Sequence, residues 1–287
     1  MSESRSKITS AVILLNIGLI FFVVHDALSK ALTARYPLFE IIFLRSVFAL
    51  PLVLILLRWE QGSFRLRTGR FWALVGRGVL SVMAFSCFLY GLTLMPLADT
   101  FALFMSAPLL IAALTGPLLG EPASRQQWIA VSVGFAAVLF MIRPGGSIPL
   151  LGALVMFAAV TAFSCSIILT RALGRSESAS IMTVFVMIVF VIASGAAIPF
   201  AWRTPSATDL LLMMALGALA AGAIYCTISA YKSGPPALLA PFQYVSLIWA
   251  GVIGYAVWGD VPESSVVLAG VVVVGSGLFV LHSGTKR

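Results

Sequence analysis

The sequence predicts an all-α membrane protein with ten transmembrane helices, arranged as two inverted repeats of five helices each. Three observations support this prediction: the composition, the spacing of long apolar segments, and the similarity between the two halves of the chain. The 287 residues are 61% hydrophobic and 10% charged, and the mean hydropathy is +1.08. A soluble domain of this size would carry more charge on its surface.

Ten apolar segments are long enough to cross a membrane, because a hydrocarbon core of about 30 Å requires about 20 apolar residues in a helix. The first segment contains His25 and Asp26 and is too long for a cleavable signal peptide. The segments lack the alternation of polar and apolar residues that is typical of membrane barrels. We expect helices near residues 8–31, 37–58, 71–94, 96–119, 125–142, 148–173, 179–201, 208–232, 235–258 and 264–283.

The fourth segment of each half shows the repeat most clearly. The first half has MPLADTFALFMSAPLLIAALTGPLLGEP, and the second has GPPALLAPFQYVSLIWAGVIGYAVWGDVP. Glu121 and Asp260 each follow a glycine near the end of these segments, 139 residues apart. Five crossings per half would insert the second copy in the opposite orientation. We therefore divide the chain into a first repeat, residues 1–143, and a second repeat, residues 147–287.

The basic residues predict the orientation of the chain. Twelve lysines and arginines fall on the side of the N-terminus, and four fall on the opposite side. Because positive loops remain in the cytoplasm, both termini are expected to be cytoplasmic. The net charge of +8 then reflects topology and contact with anionic membrane lipid, and nucleic acid is not an expected partner.

The sequence lacks the motifs of common enzymes and metal sites. His25 and His282 lie at opposite ends of the chain, and no Cys-x-x-Cys occurs. Cys87, Cys165 and Cys226 lie inside apolar segments, where cysteine packs as a small polarizable residue. No phosphate-binding loop, nucleophile elbow or HExxH motif is present. We expect no enzyme activity, no cofactor and no metal.

Several motifs resemble the drug/metabolite transporter superfamily, EamA type. They are the PLFEIIFLR opening of the second segment and the GEP and GDVP ends of the fourth and ninth segments. The resemblance covers essentially the whole chain. It implies a basket of helices around a central cavity, which is lined by predicted helices 1, 3, 4, 6, 8 and 9. The stretch HDALSKALTARYP resembles the bacterial branch that holds metabolite and amino-acid permeases, including YddG-type exporters of aromatic and other apolar amino acids.

Charged residues inside apolar segments are candidates for gating or coupling, because each is costly in a bilayer. Asp26 lies 18 residues beyond Ile8, which is about 27 Å along a helix and therefore near the outer surface. Asp26 and Lys30 share a helix face and could form a local ion pair. Alternatively, His25 and Asp26 form an outer gate or a proton site, since histidine changes charge near neutral pH.

Two arginines within the predicted helices also need an explanation. Arg45 must find a partner on another helix, and Asp26 and Asp99 are the candidates for a structural pair or a gate. Glu40 is expected to be solvated at the outer mouth. Arg77 lies about 9 Å from the cytoplasmic end of its helix. It is expected either to extend to the inner surface or to attract a substrate carboxylate from an inner vestibule.

The candidate substrate-binding residues are polar, aromatic or sulfur-containing side chains on the helices that the resemblance places around the cavity. The fourth segment of the first half presents a more apolar surface than its counterpart in the second half. A site between the two segments would have one aromatic and sulfur-containing wall and one wall with hydrogen-bonding groups, which suits a small zwitterion with an apolar side chain. Packing among helices or contact with lipid would explain the same residues individually. The candidates are Tyr90, Phe104, Met105, Ser164, Tyr225, Gln243, Tyr244 and Trp249. Pro108 and Pro241 are candidate bending points in two of these helices.

The sequence therefore predicts a multi-pass transporter of the bacterial-type inner (plasma) membrane, monomeric and working by alternating access on a small-molecule substrate. Export of aromatic and other apolar amino acids is the preferred function. Uptake of a metabolite similar to S-adenosylmethionine or a nucleoside, and efflux of drugs, are alternatives. An embedded enzyme would need clustered ionisable residues at one depth, and a channel would fail to show counterflow. Energy coupling is left between facilitated diffusion and weak coupling through His25 and Asp26.

Overall fold

The computed structural model describes residues 2–33, 35–64, 66, 68–94, 100, 103–121, 123–142, 149–200, 202–258 and 271–272. The regular structure of these residues is entirely helical, which confirms the predicted all-α class. The α-helices, in chain order, are α1 (Ser2–Thr33), α2 (Leu38–Gln61), α3 (Phe71–Leu94), α4 (Ala107–Leu119), α5 (Arg125–Ile142), α6 (Leu150–Leu173), α7 (Ala179–Gly195), α8 (Ala207–Ser233), α9 (Pro236–Leu239) and α10 (Val245–Trp258).

Six of the described helices are long and apolar enough to cross a membrane. They are α1 from Ile8 onward, α2, α3 as far as Gly91, α6, α7 with its extension to Phe200, and α8. The helix α4 is apolar but shorter. The predicted tenth helix, residues 264–283, lies outside the described residues except for 271–272. Asp260, Arg143 and Asp99 also lie outside them.

Pro108 and Pro241 each lie at an interruption of a predicted helix. Residues 103–104 are helical, residues 105–106 form a turn, and Pro108 is the second residue of α4, where the ring is compatible with a helix. The predicted helix over residues 96–119 is therefore interrupted just before Pro108, as a bending point there requires. Pro241 lies in a 3₁₀-helix, Ala240–Tyr244, which separates α9 from α10. The predicted continuous helix over residues 235–258 is thus broken near its middle.

The core is built mainly between the two halves of the chain. Helix α1 of the first half packs against α8 of the second half, and α3 of the first half packs against α6 of the second. These are the two most extensive helix pairs among the described residues. The helix α2 packs against both α7 and α8. Smaller contacts join α4 to α6 and α1 to α10. The two halves are therefore interlocked, and the described apolar clusters contain residues from both.

The principal contacts have a common pattern when α1, α2, α3 and α4 are matched in order with α6, α7, α8 and α10. Exchanging the two halves turns the α1–α8 pair into the α6–α3 pair, and the α2–α8 pair into the α7–α3 pair. The same exchange turns the α4–α6 contact into the α10–α1 contact. Two units of the same build would produce this pattern.

A glycine allows α2 and α8 to approach closely. A Cβ added to Gly217 of α8 would lie 2.7 Å from the carbonyl oxygen of Arg45 and 3.0 Å from the backbone nitrogen of Ala49. Both neighbours are backbone atoms of α2, which cannot move without shifting the helix. Small residues have this role at many helix crossings in membranes.

We expect Gly217→Ala to destabilise the protein by about 1–3 kcal/mol, because the added methyl group overpacks the α2–α8 crossing. Gly76→Ala is a matched control, since Gly76 lies within α3 and a Cβ there has no neighbour within 4 Å. Alanine favours a helix by about 1 kcal/mol over glycine, so this control should not be less stable than the native protein. Thermal unfolding in detergent micelles measures both changes, and equal Tm values for the two variants would contradict the prediction.

Candidate functional site

Three side chains from α1 and α2 form a buried chain of hydrogen bonds. Nη1 of Arg45 lies 2.7 Å from Nε2 of His25, and Nδ1 of His25 lies 3.0 Å from Oδ1 of Asp26. A guanidinium group has only donors, so Nε2 of His25 must accept the bond from Arg45. The hydrogen of the neutral imidazole is then on Nδ1 and is donated to Asp26. We refer to Asp26, His25 and Arg45 as the triad.

Aromatic residues of two further helices enclose the triad. The Arg45 guanidinium carbon lies 4.2 Å from the ring centre of Phe85 on α3 and 5.1 Å from that of Phe190 on α7. Such rings attract a cation electrostatically. His25 and Arg45 are buried, whereas the Asp26 side chain is 37% exposed. The triad therefore connects a buried cation to an accessible carboxylate through one neutral imidazole.

The triad changes the partners that the sequence assigns to these residues. The expected direct pair of Arg45 with Asp26 is wrong, since Arg45 contacts His25 and reaches Asp26 through that ring. The other candidate partner, Asp99, lies outside the described residues. Asp26 pairs with His25, and the side chain of Lys30 lies outside the described residues. The separation of Glu40 and Arg45 around α2 explains why these two do not pair, because five residues rotate by about 140°.

A second polar network joins the start of α2 to the start of α8. Glu40 is fully buried, and its Oε2 accepts a hydrogen bond of 2.8 Å from the backbone N–H of Arg203. The predicted solvation of Glu40 at an outer mouth is therefore wrong, because the segment before α8 covers this carboxylate. Asp209 accepts bonds from Arg35 at 3.2 Å and from the Tyr36 hydroxyl at 2.8 Å.

The Asp209 network was not identified from the sequence, although a local signal exists. Ser206 and Asp209 have the spacing of a helix-capping pattern. Accordingly, the Asp209 backbone N–H donates to the Ser206 hydroxyl at 3.1 Å. That hydroxyl donates in turn to Asp209 Oδ2 at 2.9 Å. The contacts with Arg35 and Tyr36 join residues more than 170 positions apart, and no local pattern predicts them.

Arg77 is buried among uncharged groups of α6 and α7. Its Nε donates to the Thr170 hydroxyl at 2.6 Å, and its Nη1 donates to the Met182 carbonyl at 3.2 Å. The expected extension of Arg77 to the inner surface is therefore wrong, since the side chain is only 4% exposed. The alternative, attraction of a substrate carboxylate, stays a prediction.

Glu121 holds together the ends of several helices. It accepts hydrogen bonds from Nε and Nη2 of Arg171 at 3.3 and 3.2 Å and from Arg175 at 3.3 Å. Arg171 also donates to the Lys232 carbonyl at 2.8 Å. These contacts connect the end of α4 to the ends of α6 and α8. We refer to Glu121, Arg171 and Arg175 as the Glu121 clamp.

The predicted substrate-binding residues of the first half, and Ser164 on α6, lie in different environments. Phe104 belongs to an aromatic cluster, with ring centres 5.1 Å from Phe88 and 5.2 Å from Phe163. Met105 and Ser164 are buried, and Tyr90 is exposed. The structure therefore brings Phe104 to the second-half helix α6, which carries Phe163 and Ser164.

Gln243 and Tyr244 are packed at the break between α9 and α10. The Gln243 amide donates to the Tyr231 hydroxyl. The Tyr244 hydroxyl donates to the Val131 carbonyl at 3.2 Å, and its ring fills the space beside Gly134, where a Cβ would lie 2.5 Å from the ring. Both side chains therefore stabilise the helical break in this conformation. Their contact with substrate stays a prediction.

Tyr225 lies half-buried on α8 and packs against the core that α2, α7 and α8 share. Trp249 on α10 is half-buried, and its indole nitrogen has no hydrogen-bond partner among the described residues. The same holds for the buried hydroxyl oxygens of Thr161, Ser164 and Thr227. Four polar atoms on α6, α8 and α10 thus lack a described partner, and such atoms are normally satisfied. No group of three described His, Cys, Asp or Glu side chains could hold a metal ion.

Comparisons with known proteins agree on a transport function. Residues 9–143 match the EamA-like transporter family. The chain is 26% identical over 263 residues to the S-adenosylmethionine uptake transporter of Rickettsia prowazekii, covering 92% of this chain and 89% of that protein. It is 25% identical over 272 residues to the pseudopaline exporter of Pseudomonas aeruginosa, covering 92% and 93%.

The fold also has a counterpart among solved structures. The fold of this chain is similar to that of a protein in a solved crystal structure, with a TM-score of 0.82 and 19% sequence identity. The match covers 97% of this chain and 99% of the chain in the crystal structure. At this identity the match shows the fold alone. Residues 9–143 match the EamA-like transporter family, and about nine-tenths of the chain is similar to proteins named as transporters, which supports a membrane transporter and not an enzyme.

Proposed function

We propose that this chain carries small zwitterionic metabolites with an aromatic or apolar body across the membrane by alternating access. The observation that carries this proposal is the set of four buried polar atoms without a described partner, on Thr161, Ser164, Thr227 and Trp249. A polar substrate would satisfy such atoms, and the aromatic cluster around Phe104 would contact its apolar body.

The architecture that we propose has two five-helix repeats, residues 1–143 and 147–287, in inverted orientation. The exchange pattern of the helix contacts supports it, since α1–α8 corresponds to α6–α3. Because these contacts join the halves, the opening and closing motions would slide helices of one half along helices of the other. Rocking of two separate halves fits this packing less well.

The cytoplasmic location of both termini remains a proposal from the distribution of basic residues. With that orientation, the triad lies toward the outer surface and the Glu121 clamp lies at the inner surface. The clamp is formed in this conformation. Its ion pairs hold together helices from both halves, so we propose that they close the inner side during part of the transport cycle.

Two substrate classes fit the site, and they differ in direction. Export of aromatic and apolar amino acids is the function that the sequence favours, and the pseudopaline exporter shows that export occurs among similar proteins. Uptake of an S-adenosylmethionine-like compound is the second candidate, because rickettsial relatives are named for that activity. Both substrates carry an amino-acid group and a larger body. Drug efflux is a third candidate, with no specific observation in its favour.

The triad is our candidate for proton coupling. Protonation of His25 at Nε2 would break its bond to Arg45 and place two cations side by side. Asp26 is the accessible member through which a proton would enter. Among the described residues, Arg45 and the ring of Phe85 face His25 from other helices, and of these two Arg45 is the charged one.

A counterflow screen in proteoliposomes tests the transport proposal. Vesicles preloaded with unlabelled phenylalanine, tryptophan, S-adenosylmethionine, a nucleoside or a cationic drug are diluted into labelled substrate. We expect transient accumulation for at least one zwitterion with an aromatic body, because only a carrier exchanges substrate across the membrane. Accumulation of the cationic drug alone would reject the proposed substrate class, and equilibration without overshoot would indicate a channel.

Substitutions in the triad separate coupling from transport. We expect Asp26→Asn and His25→Gln to abolish accumulation driven by a pH gradient while counterflow persists, since neither replacement titrates near neutral pH. Asp209→Asn is the control, because it removes another carboxylate of the proposed outer side that lies outside the triad. Unchanged gradient-driven uptake in both triad variants would assign the coupling to another group. A native protein that shows counterflow but no accumulation driven by the pH gradient would favour facilitated diffusion.

Removing the charge of Glu121 tests the clamp. Glu121→Gln leaves two arginines without an anion, so the inner side should open more readily. We expect faster labelling of a cysteine introduced at Ser166, inside the inner part of α6, by a membrane-impermeant thiol reagent added from the cytoplasmic side. Arg58→Gln, an exposed arginine outside the clamp, is the control. Equal labelling rates in the two variants would contradict a closing role for the clamp.

A further inference from the structure

We propose that Arg77 is an anion-binding residue that receives the carboxylate of the substrate at the inner end of the helix bundle. This inference rests on the proposed function, since it specifies one end of the zwitterion. It starts from the contrast between the two buried arginines. Arg45 is joined to Asp26 through His25, whereas the described partners of Arg77 are all uncharged.

The six acidic residues whose side chains the structure describes do not compensate the charge of Arg77, because each has another partner. Asp26 pairs with His25, Glu121 with Arg171, and Asp209 with Arg35. Glu40 accepts from Arg203, Glu60 from Ser180, and Glu177 from Thr68. A guanidinium buried away from water and from any anion is unfavourable, so a ligand that brings a negative charge would be stabilised there.

Arg77 is also held in a fixed position, as an anion site requires. The Thr170 hydroxyl and the Met182 carbonyl fix Nε and Nη1 from two different helices. These contacts use two of the five guanidinium N–H groups. The Ser81 hydroxyl donates to the Arg77 carbonyl at 3.0 Å and lies 2.9 Å from the Ser166 hydroxyl. The remaining donors and these hydroxyls form a polar group on α3 and α6.

The depth of this group suits the first contact with a substrate that comes from the inner side. Arg77 is six residues from the start of α3, while Thr170 and Met182 are each three residues from an end of α6 or α7. The group therefore lies about 5–9 Å inside the ends of the three helices. A planar carboxylate, like a phosphate, can accept parallel hydrogen bonds from a guanidinium group.

Ligand stabilisation of the purified full-length protein tests the site without requiring transport. The probe is phenylacetate, and 2-phenylethanol is its uncharged analogue. We expect phenylacetate to raise the Tm of the native protein and to bind Arg77→Gln at least about tenfold more weakly, because one charge-assisted contact is lost. Arg58→Gln, which removes an exposed arginine, should bind as the native protein does. Equal stabilisation of the native protein and Arg77→Gln would overturn the proposal, as would no stabilisation of the native protein.

Two further arms separate the alternatives. If phosphatidylglycerol stabilises the native protein but not Arg77→Gln, and phenylacetate stabilises neither protein, the site binds a lipid headgroup and the proposal fails. Arg77→Lys keeps the positive charge but loses the planar guanidinium group. It should fold even if Arg77→Gln fails to fold, and its affinity for phenylacetate should lie between those of the native protein and Arg77→Gln. An affinity of Arg77→Lys for phenylacetate equal to that of the native protein would contradict a carboxylate fork.

Transport of phenylalanine and phenethylamine by the same variants connects the site to the substrate. Phenethylamine lacks only the carboxylate. We expect Arg77→Gln to raise the KM for phenylalanine and to leave that for phenethylamine unchanged; parallel losses would overturn the proposal in favour of a structural role. If the native protein transports neither compound, the proposed function fails, and the phenylacetate measurement still decides whether Arg77 binds a carboxylate.

Discussion

Packing between the two halves of the chain is the constraint on which the rest of the structure depends. The α1–α8 and α3–α6 crossings bring together residues that are separated by more than fifty positions, and they provide the buried surfaces on which the polar groups lie. The triad forms where α2 approaches α1, and α3 and α7 place the rings of Phe85 and Phe190 beside Arg45. Arg77 is fixed because α6 and α7 meet beside α3. Within a bilayer, where water does not drive helices together, such close crossings depend on small residues and on shape.

Charge compensation is the second organising feature. The described carboxylates are distributed among the helix ends, where Asp209 and Glu121 each join segments from different parts of the chain. Among the described residues, the triad is the place where a carboxylate is joined to a cation within the bundle. The other described polar groups inside it are hydroxyl, amide and indole groups, together with the guanidinium of Arg77. In the transport cycle that we propose, a small number of fixed charges at the site would favour release of the substrate.

The sequence predicted most of the helices and the class of protein, because hydrophobic length and the distribution of basic residues are local properties. It also identified His25, Asp26, Arg45 and Arg77 as residues needing partners, since an ionisable group in an apolar helix is informative by itself. The partners were harder to predict. The choice of His25 for Arg45 depends on the approach of α2 to α1, and the burial of Glu40 depends on a segment more than 160 residues away. The bending point before α10 was expected from Pro241, but its 3₁₀ geometry was not, because apolar residues continue through the segment.

That break has a consequence for how α10 can move. A 3₁₀-helix rises about 2.0 Å per residue at three residues per turn, against about 1.5 Å and 3.6 for an α-helix. If the five residues Ala240–Tyr244 took α-helical geometry, the segment would shorten by about 2.5 Å and α10 would turn by about 100° about its axis. The bonds from Gln243 to Tyr231 and from Tyr244 to Val131 hold the present geometry. Such a change would couple a small displacement along the axis of α10 to a rotation of that helix, and the rotation would change the direction in which Trp249 points.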